Sequence, residues 1–237
     1  MNVPIILAGG VGTRMGADRP KQFVEVLGKP VLVYTIELFQ NHPEIDAIEV
    51  VCVKSHIDYL KGLVEEYNLD KVKWITEGGA DFQHSVINGI NNLKGKLDDD
   101  DIVLVHYGAS PFTSADVISD SIRVAKKHGN SSPAMSSLLL LGSNDGDRSL
   151  NWIDRDEVLV LNTPQGFKFS YVTQLYEEAI EKDLLDKVEP HTTTLMYLMG
   201  RELYLSKSNQ YNLKITTKED LDLLEAFTLM KRSKENK

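Results

Sequence analysis

The sequence predicts an α/β fold, in which a mostly parallel sheet is flanked by helices, as a single domain over residues 1–237. Two observations support this prediction. Short apolar runs of strand length alternate with segments whose apolar residues recur at helical spacing, which is typical of βαβ units. The first apolar run, residues 3–8, passes directly into a turn that contains Gly9, Gly10 and Gly12. In open α/β sheets, ligands bind beyond strand ends of this kind.

The first half of the chain follows the alternation closely. Pro30 suits the first turn of a helix, because its missing N–H needs no partner there, and His42 and Pro43 end that helix. Leu60 and Leu63 lie at helical spacing in the next helix. The further predicted strands cover residues 47–53, 72–75 and 102–105, and the further predicted helices cover residues 56–67 and 85–93.

The second half is predicted from caps and periodicity. Ser114 is a favourable N-cap for a helix, and Thr216 with Glu219 fits a capping box before the last helix. These patterns predict helices at residues 115–127, 171–180, 192–198 and 218–231, an apolar run at 133–141 and a strand at 203–205.

Composition excludes several classes of function. The formal net charge is −9, which argues against a nucleic-acid or anionic membrane surface. The one cysteine, Cys52, lies in an apolar strand-like run and allows no disulfide framework within the chain. We find no signal-type N-terminus and no apolar run of membrane-spanning length. The expectation is a soluble cytoplasmic protein.

Residues 142–161 interrupt the α/β rhythm. They are rich in Asp, Asn and Ser, and two strand-like stretches at 150–155 and 158–161 predict a protruding β-hairpin. Trp152 and Ile153 would then be apolar and exposed. Because an exposed apolar patch favours a partner, we expect this segment to be a dimerisation arm. A lone surface hairpin is the alternative.

The glycine turn after the first strand has the chemistry of a phosphate site. Gly9, Gly10 and Gly12 let backbone N–H groups approach an anion, and the cations Arg14 and Lys21 follow closely. The pattern lacks the Gly-Lys-Ser/Thr of a Walker loop. It also lacks the spacing and the following acid of a dinucleotide fingerprint.

The whole pattern at residues 7–15, together with Pro-Lys-Gln-Phe at residues 20–23, resembles the signature of nucleotidyltransferases. Those enzymes join a nucleoside triphosphate to a phosphorylated sugar or sugar alcohol. The Pro-Lys-Gln-Phe half is similar to the cytidylyltransferase branch, which includes the methylerythritol phosphate and ribitol phosphate enzymes. Loops at 78–85, 106–112, 161–167 and 212–216 extend the resemblance over nearly the whole chain. It implies a Rossmann-like nucleotidyltransferase fold.

The resemblance implies a reaction and a set of residues. CMP would pass from CTP to a polyol phosphate, with release of pyrophosphate and with Mg²⁺ on the triphosphate. The implied catalytic residues are Arg14, Lys21 and Lys214. The implied nucleotide-binding residues are Leu7, Ala8, Gly9, Gly10, Gly12, Thr13, Arg14, Lys21, Gly79 and Ser85. The implied substrate-binding residues are Tyr107, Ser110, Arg155, Thr163 and Lys214, with Arg155 reaching the partner's site in a homodimer.

The chain departs from the family pattern mainly on the acceptor side. Phe82 replaces an arginine, Tyr107 and Ser110 replace an aspartate and an arginine, and residues 190–192 replace Thr-Asp and an acid. We therefore expect an altered acceptor, glycerol phosphate or ribitol 5-phosphate, with methylerythritol 4-phosphate as the alternative. An enzyme for another nucleotide and a catalytically silent nucleotide-binding homologue are also compatible with the sequence. His106 is expected to be a buried strand-end histidine with a neighbouring partner.

Overall fold

The computed structural model describes residues 1–10 and 19–235. Its centre is a sheet of eight strands in which β1, Asn2–Ala8, lies between parallel neighbours. The strands on either side of β1 are β4, Ile48–Cys52, and β6, Ile102–Tyr107. All three are almost fully buried, because helices cover both faces, and their sequences are accordingly mostly apolar, with Asn2, Glu49 and His106 as the polar exceptions. The predicted fold class is confirmed.

The remaining strands extend this sheet on both sides or form small ribbons. Their bounds are β2 Glu25–Val26, β3 Lys29–Pro30, β5 Val72–Glu77, β7 Asn130–Ser136, β8 Leu141–Gly142, β9 Trp152–Ile153, β10 Leu159–Leu161, β11 Gln165–Lys168 and β12 Leu205–Lys207. The order along the main path is β10-β7-β11-β6-β1-β4-β5, with β12 paired to β7. Strand β11 runs antiparallel to β6 and β7.

Seven α-helices surround the sheet in the described part of the chain, and each predicted helix is present with ends shifted by a few residues. Ile36, Leu60 and Ile118 pack on one face, and Val86 and Val172 pack on the other. The alternation of side chains along β1 supplies both layers. The bounds are α1 Val31–Gln40, α2 Ile57–Glu66, α3 Phe82–Leu93, α4 Ala115–His128, α5 Phe169–Glu181, α6 Thr192–Leu198 and α7 Glu219–Glu235.

Two predicted helix caps are wrong in detail. The Ser114 side chain makes no capping bond to a helix N–H and instead donates its hydroxyl hydrogen to Asp116. Before α7, the carboxylate that accepts from the backbone N–H groups of Thr216 and Thr217 belongs to Asp220, at 2.6 and 2.8 Å, rather than to Glu219. The helices still begin near the predicted positions, because their buried apolar residues fix them in place.

The predicted pairing within the arm is also wrong. Strand β9 pairs antiparallel with β8, and β10 pairs with β7 of the main sheet. Between β9 and β10 lies a 3-10 turn, Arg155–Glu157, in which the Asp154 side chain accepts from the N–H of Asp156 at 3.0 Å. That turn carries the chain away from β9, and β7 offers β10 a longer partner. The segment is therefore a small ribbon connected to a sheet edge.

Candidate active site

A cleft of about 670 Å³ opens beyond the carboxyl ends of β1, β4, β5 and β6. Because these strands are parallel, the loops that follow them meet at one edge of the sheet. The cleft brings together eight of the residues predicted for the site. They are Leu7, Gly9, Gly10, Lys21, Gly79, Ser85, Tyr107 and Lys214.

Two glycine turns form one side of the cleft in close contact. A Cβ atom placed on Gly78 would lie 3.0 Å from the Cα atom of Gly9, so the two backbones approach more closely than side chains would allow. A Cβ atom on Gly79 would lie 2.4 Å from the Cβ of His84. These glycines are therefore required for the shape of the cleft.

Ser85 holds the second glycine turn. Its hydroxyl accepts from the N–H of Gly79 at 3.0 Å and donates to the carbonyl of Asp81 at 2.7 Å. The N-cap of α3 is Asp81, whose carboxylate accepts from the N–H of His84 at 2.9 Å. Ser85 is thus a loop-positioning residue at the cleft wall, one turn inside the helix, rather than its N-cap.

The first glycine turn is held by Gln22, a residue for which the sequence analysis predicted no role. Its side-chain amide donates to the carbonyls of Ala8 and Gly10, both at 2.8 Å. Ala8 is buried and takes part through its backbone. Gln22 lies in the 3-10 turn Lys21–Phe23, so the same contacts fix Lys21 relative to the glycines. Its place within the Pro-Lys-Gln-Phe motif was the available signal.

The two predicted lysines of the cleft come from opposite ends of the chain. The ammonium group of Lys21 donates to the carbonyl of Ile215 at 2.8 Å. Ile215 is buried and its N–H donates to the carbonyl of Ala109 at 2.8 Å, which holds the neighbouring Lys214 at the cleft. Both lysines therefore line the same cleft in a protein whose net charge is −9.

Thr163 supports this arrangement from behind. Its carbonyl accepts from the side-chain amide of Asn212 at 2.9 Å, and the oxygen of that amide accepts from the hydroxyl of Thr113 at 2.7 Å. All three residues are buried. Thr163 therefore holds the segment that carries Lys214 and is not among the described residues that line the cleft.

The departures at Phe82, Tyr107 and residues 190–192 are far apart in the sequence but converge on one wall of the cleft. The ring centroids of Phe82 and Tyr107 are 5.5 Å apart, and those of Phe82 and His191 are 5.1 Å apart. The Tyr107 hydroxyl lies 3.0 Å from Nδ1 of His191, and Nε2 of His191 lies 3.2 Å from the carboxylate of Glu189. The Lys214 ammonium lies 3.6 Å from the centroid of the Tyr107 ring.

Burial sets the protonation of this wall. It raises the pKa of Tyr107 to about 12, so the phenol keeps its proton. It lowers the pKa of His191, against the opposing effect of Glu189, so the ring is favoured as neutral. Because a carboxylate only accepts, Nε2 of His191 carries the ring proton, and the Tyr107 hydroxyl donates to Nδ1. Neither Glu189 nor the contact between these residues was predicted from the sequence.

Several predicted site residues lie elsewhere. Ser110 is buried outside the described lining of the cleft, and its carbonyl accepts from Nε2 of His106 at 3.1 Å. His106 is fully buried, and burial lowers its pKa to about 4, as expected for a core histidine with a neighbouring partner. Arg155 is exposed on the arm. Gly12, Thr13 and Arg14 are outside the described residues.

The comparisons with known proteins identify the family. The profile of the family described as IspD, 2-C-methyl-D-erythritol 4-phosphate cytidylyltransferase, matches residues 2–231. The chain belongs to this family. The IspD family is a family of nucleotidyltransferases, so the class of enzyme predicted from the sequence is confirmed.

Individual relatives carry two different names. A ribitol-5-phosphate cytidylyltransferase of Lacticaseibacillus paracasei is 36% identical over 228 residues, covering 96% of this chain and 97% of that protein. A 2-C-methyl-D-erythritol 4-phosphate cytidylyltransferase of Clostridium novyi is 37% identical over 229 residues, covering 95% of this chain and 96% of that protein. Because the chain is about equally identical to both proteins, overall identity does not distinguish the two acceptors. The residues of the cleft have to distinguish them.

A solved structure supports the fold. The 4-diphosphocytidyl-2C-methyl-D-erythritol synthase of Anaerococcus prevotii matches with a TM-score of 0.78 at 25% identity, covering 97% of this chain and 98% of that one. Within residues 1–10 and 19–235 of this IspD-family chain, no helix is long and apolar enough to cross a bilayer.

Proposed function

We propose that this IspD-family protein transfers CMP from CTP to ribitol 5-phosphate, giving CDP-ribitol and pyrophosphate. The observation that supports this most is the cleft itself, in which Lys21 and Lys214 stand beside a wall that differs from the family pattern at Phe82, Tyr107 and His191. The ribitol name of a relative such as that of L. paracasei favours the same acceptor. Methylerythritol 4-phosphate is the second candidate, because the family profile and the C. novyi relative carry that name.

The side of the cleft that the two glycine turns form suits the nucleotide. Gly9 and Gly10 follow β1 and bring backbone close to a bound triphosphate, while Gly79 and Ser85 form a shaped wall for the base. Gln22 holds the first of these turns before any ligand arrives, which reduces the ordering cost of binding.

The proposed reaction requires positioning and charge neutralisation rather than a covalent intermediate. An oxygen of the acceptor phosphate attacks the α-phosphorus of CTP, and the bond from that phosphorus to the bridging oxygen breaks. The electron pair leaves with pyrophosphate. A phosphate monoester is largely ionised at neutral pH, so no general base is required. Lys21 and Lys214 supply positive charge where the three phosphates of CTP and the acceptor phosphate crowd together.

Mg²⁺ is the proposed cofactor, bound mainly by the nucleotide. Among residues 1–10 and 19–235, no group of three His, Cys, Asp or Glu side chains could hold a metal ion. The described cleft contains only two carboxylates, Asp81 and Glu189. These residues do not fit a protein-built site, whereas Mg²⁺ commonly binds through substrate phosphates and water. When bound, the ion would offset phosphate charge.

We further propose that the arm forms a homodimer. Leu150 and Trp152 of the arm are 62% and 72% exposed, and Leu140, just before the arm, is 90% exposed. An apolar surface of this kind favours a second copy of the chain, and the exposed Arg155 would then be free to reach the partner's cleft.

The need for CTP is consistent with a cytoplasmic enzyme.

The test is pyrophosphate release with CTP and Mg²⁺ against ribitol 5-phosphate, glycerol phosphates and methylerythritol 4-phosphate. We expect ribitol 5-phosphate to give the highest kcat/KM. Preference for methylerythritol 4-phosphate would overturn the acceptor assignment. CTP binding without release for any acceptor would favour a silent homologue, and stabilisation by another nucleotide in place of CTP would overturn the assignment of the donor.

A further inference from the structure

The wall formed by Phe82, Tyr107, Glu189 and His191, hereafter the aromatic wall, has a defined direction of hydrogen bonding. The Tyr107 hydroxyl donates to Nδ1 of His191 at 3.0 Å, and the protonated Nε2 of His191 faces the Glu189 carboxylate at 3.2 Å. The hydroxyl proton of Tyr107 and the ring proton of His191 are therefore both directed at neighbouring side chains of the wall and not at the cleft. The groups left to face the cleft are lone pairs of the Tyr107 hydroxyl and of the Glu189 carboxylate, whose side chain is 73% exposed.

A surface that only accepts hydrogen bonds discriminates between the two ends of a polyol phosphate. A phosphate dianion also only accepts, and it would be repelled by Glu189. Hydroxyl groups donate and so fit this surface. The Lys214 ammonium group is positively charged and lies 3.6 Å from the centroid of the Tyr107 ring. It therefore suits the phosphate end of the acceptor.

The aromatic wall also has a shape. The rings of Tyr107 and His191 are nearly perpendicular, with an interplanar angle of 84°, and Phe82 closes the corner between them. The hydrogen bond from Tyr107, at the end of β6, to His191, the N-cap of α6, fixes this corner across two elements. The Lys214 ammonium covers one face of the Tyr107 ring, so a carbon chain packs along the remaining ring surface while its hydroxyls reach the polar edge.

We propose that Tyr107, His191 and Glu189 form the element that selects the acceptor by its hydroxyl groups. Tyr107 and Glu189 accept from hydroxyls on the carbons distant from the phosphate, and His191 is a positioning residue that fixes both. The selected acceptor is a straight-chain polyol phosphate. This inference rests on the proposed function. It assigns recognition of the acceptor hydroxyls to these three residues in a chain that lacks the aspartate and arginine of the family pattern.

The test compares two ligands of equal chain length. Ribitol 5-phosphate serves as the substrate, and n-pentyl phosphate, which lacks every hydroxyl, serves as a competitive inhibitor. For Tyr107→Phe and for Glu189→Gln, we expect KM for ribitol 5-phosphate to rise about tenfold each, the effect of one lost hydrogen bond. The Ki of pentyl phosphate and the KM of CTP should remain unchanged.

A matched control pair lies outside the cleft. The Tyr204 hydroxyl donates to Glu202 at 3.1 Å on the surface, so Tyr204→Phe and Glu202→Gln make the same chemical changes elsewhere. Neither should alter any of the three constants. Because the Glu189 side chain is exposed, we expect Glu189→Gln to fold normally. This variant therefore still tests the proposal if Tyr107→Phe fails to fold.

The outcomes separate the two claims. If the KM for ribitol 5-phosphate, the Ki of pentyl phosphate and the KM of CTP all change together, the wall is merely structural and the inference is wrong. If ribitol 5-phosphate reacts normally in both variants, the inference is wrong while the proposed function stands. If the wild-type protein uses none of the polyol phosphates, both fail.

Discussion

The deeply buried Glu49 should make the stability of this protein fall as the pH rises towards neutrality. Glu49 lies on β4 with no exposed surface. One carboxyl oxygen accepts from the hydroxyl of Thr76 at 2.7 Å and from the amide of Asn92 at 2.8 Å. The other oxygen has no hydrogen-bond partner among the described residues. Burial raises the pKa of Glu49 from 4.5 to about 7, because water no longer stabilises the charge.

The direction of the effect comes from comparing the folded and unfolded chains. Below pH 4.5 the carboxyl is protonated in both states, and the favourable folded-state environment is fully available. Between that pH and about 7 the unfolded chain releases a proton that the folded chain keeps, so stability is lost as the pH rises. Integrated from pH 5 to pH 8, the loss is roughly 2–3 kcal/mol.

Glu49→Gln isolates this contribution. The amide keeps the shape and both accepted hydrogen bonds but does not ionise. Urea unfolding at several pH values should show the wild type losing roughly 2–3 kcal/mol relative to the variant between pH 5 and pH 8. Glu65→Gln is the control, because Glu65 is exposed on α2, and it should leave the wild-type slope as it is. Parallel pH profiles for wild type and Glu49→Gln would refute the reasoning.

Three further predictions concern the cleft and the arm. Gly79→Ala should weaken CTP binding at least tenfold in calorimetry, because the new Cβ overlaps the first turn of α3, whereas Gly62→Ala, with open space on α2, should retain binding and gain about 1 kcal/mol in stability. Lys214→Met should lower kcat/KM for the acceptor about 10- to 100-fold in steady-state assays, with a smaller effect on CTP, since a charged hydrogen bond contributes about 1.5–3 kcal/mol; an equal loss for both substrates would contradict its placement. Trp152→Ser should shift the protein from dimer to monomer in sedimentation, and Ile180→Ser, an exposed change on α5, should not.

The sequence predicted the sheet and its helices well, because the strands near the centre are almost continuous apolar runs. Residues 102–105 and 48–52 are buried on both faces, and such runs are seldom compatible with another structure. The arm was harder. Its strands are two or three residues long, and their pairing depends on a 3-10 turn and on residues 134–136 of β7 rather than on local periodicity.

The glycine and lysine motifs predicted where the cleft would lie, because their chemistry is local and their order in the chain is specific. The contacts of the aromatic wall were not predictable in the same way. Phe82, Tyr107 and His191 lie at the ends of three elements that are distant in the sequence, and only the fold shows that they touch. Ser110 looked like a pocket residue because of its place in a motif, but its backbone direction after β6 buries it.

The central claim is that this cleft joins CMP to a polyol phosphate. The most direct measurement is the ³¹P NMR spectrum of a reaction that contains CTP, Mg²⁺ and ribitol 5-phosphate. The account predicts that the resonances of CTP and of the monoester disappear together, and that those of pyrophosphate and of a new diphosphate diester appear in equal amounts. Release of orthophosphate without the diester, or an unchanged spectrum for every polyol phosphate tried, would contradict it.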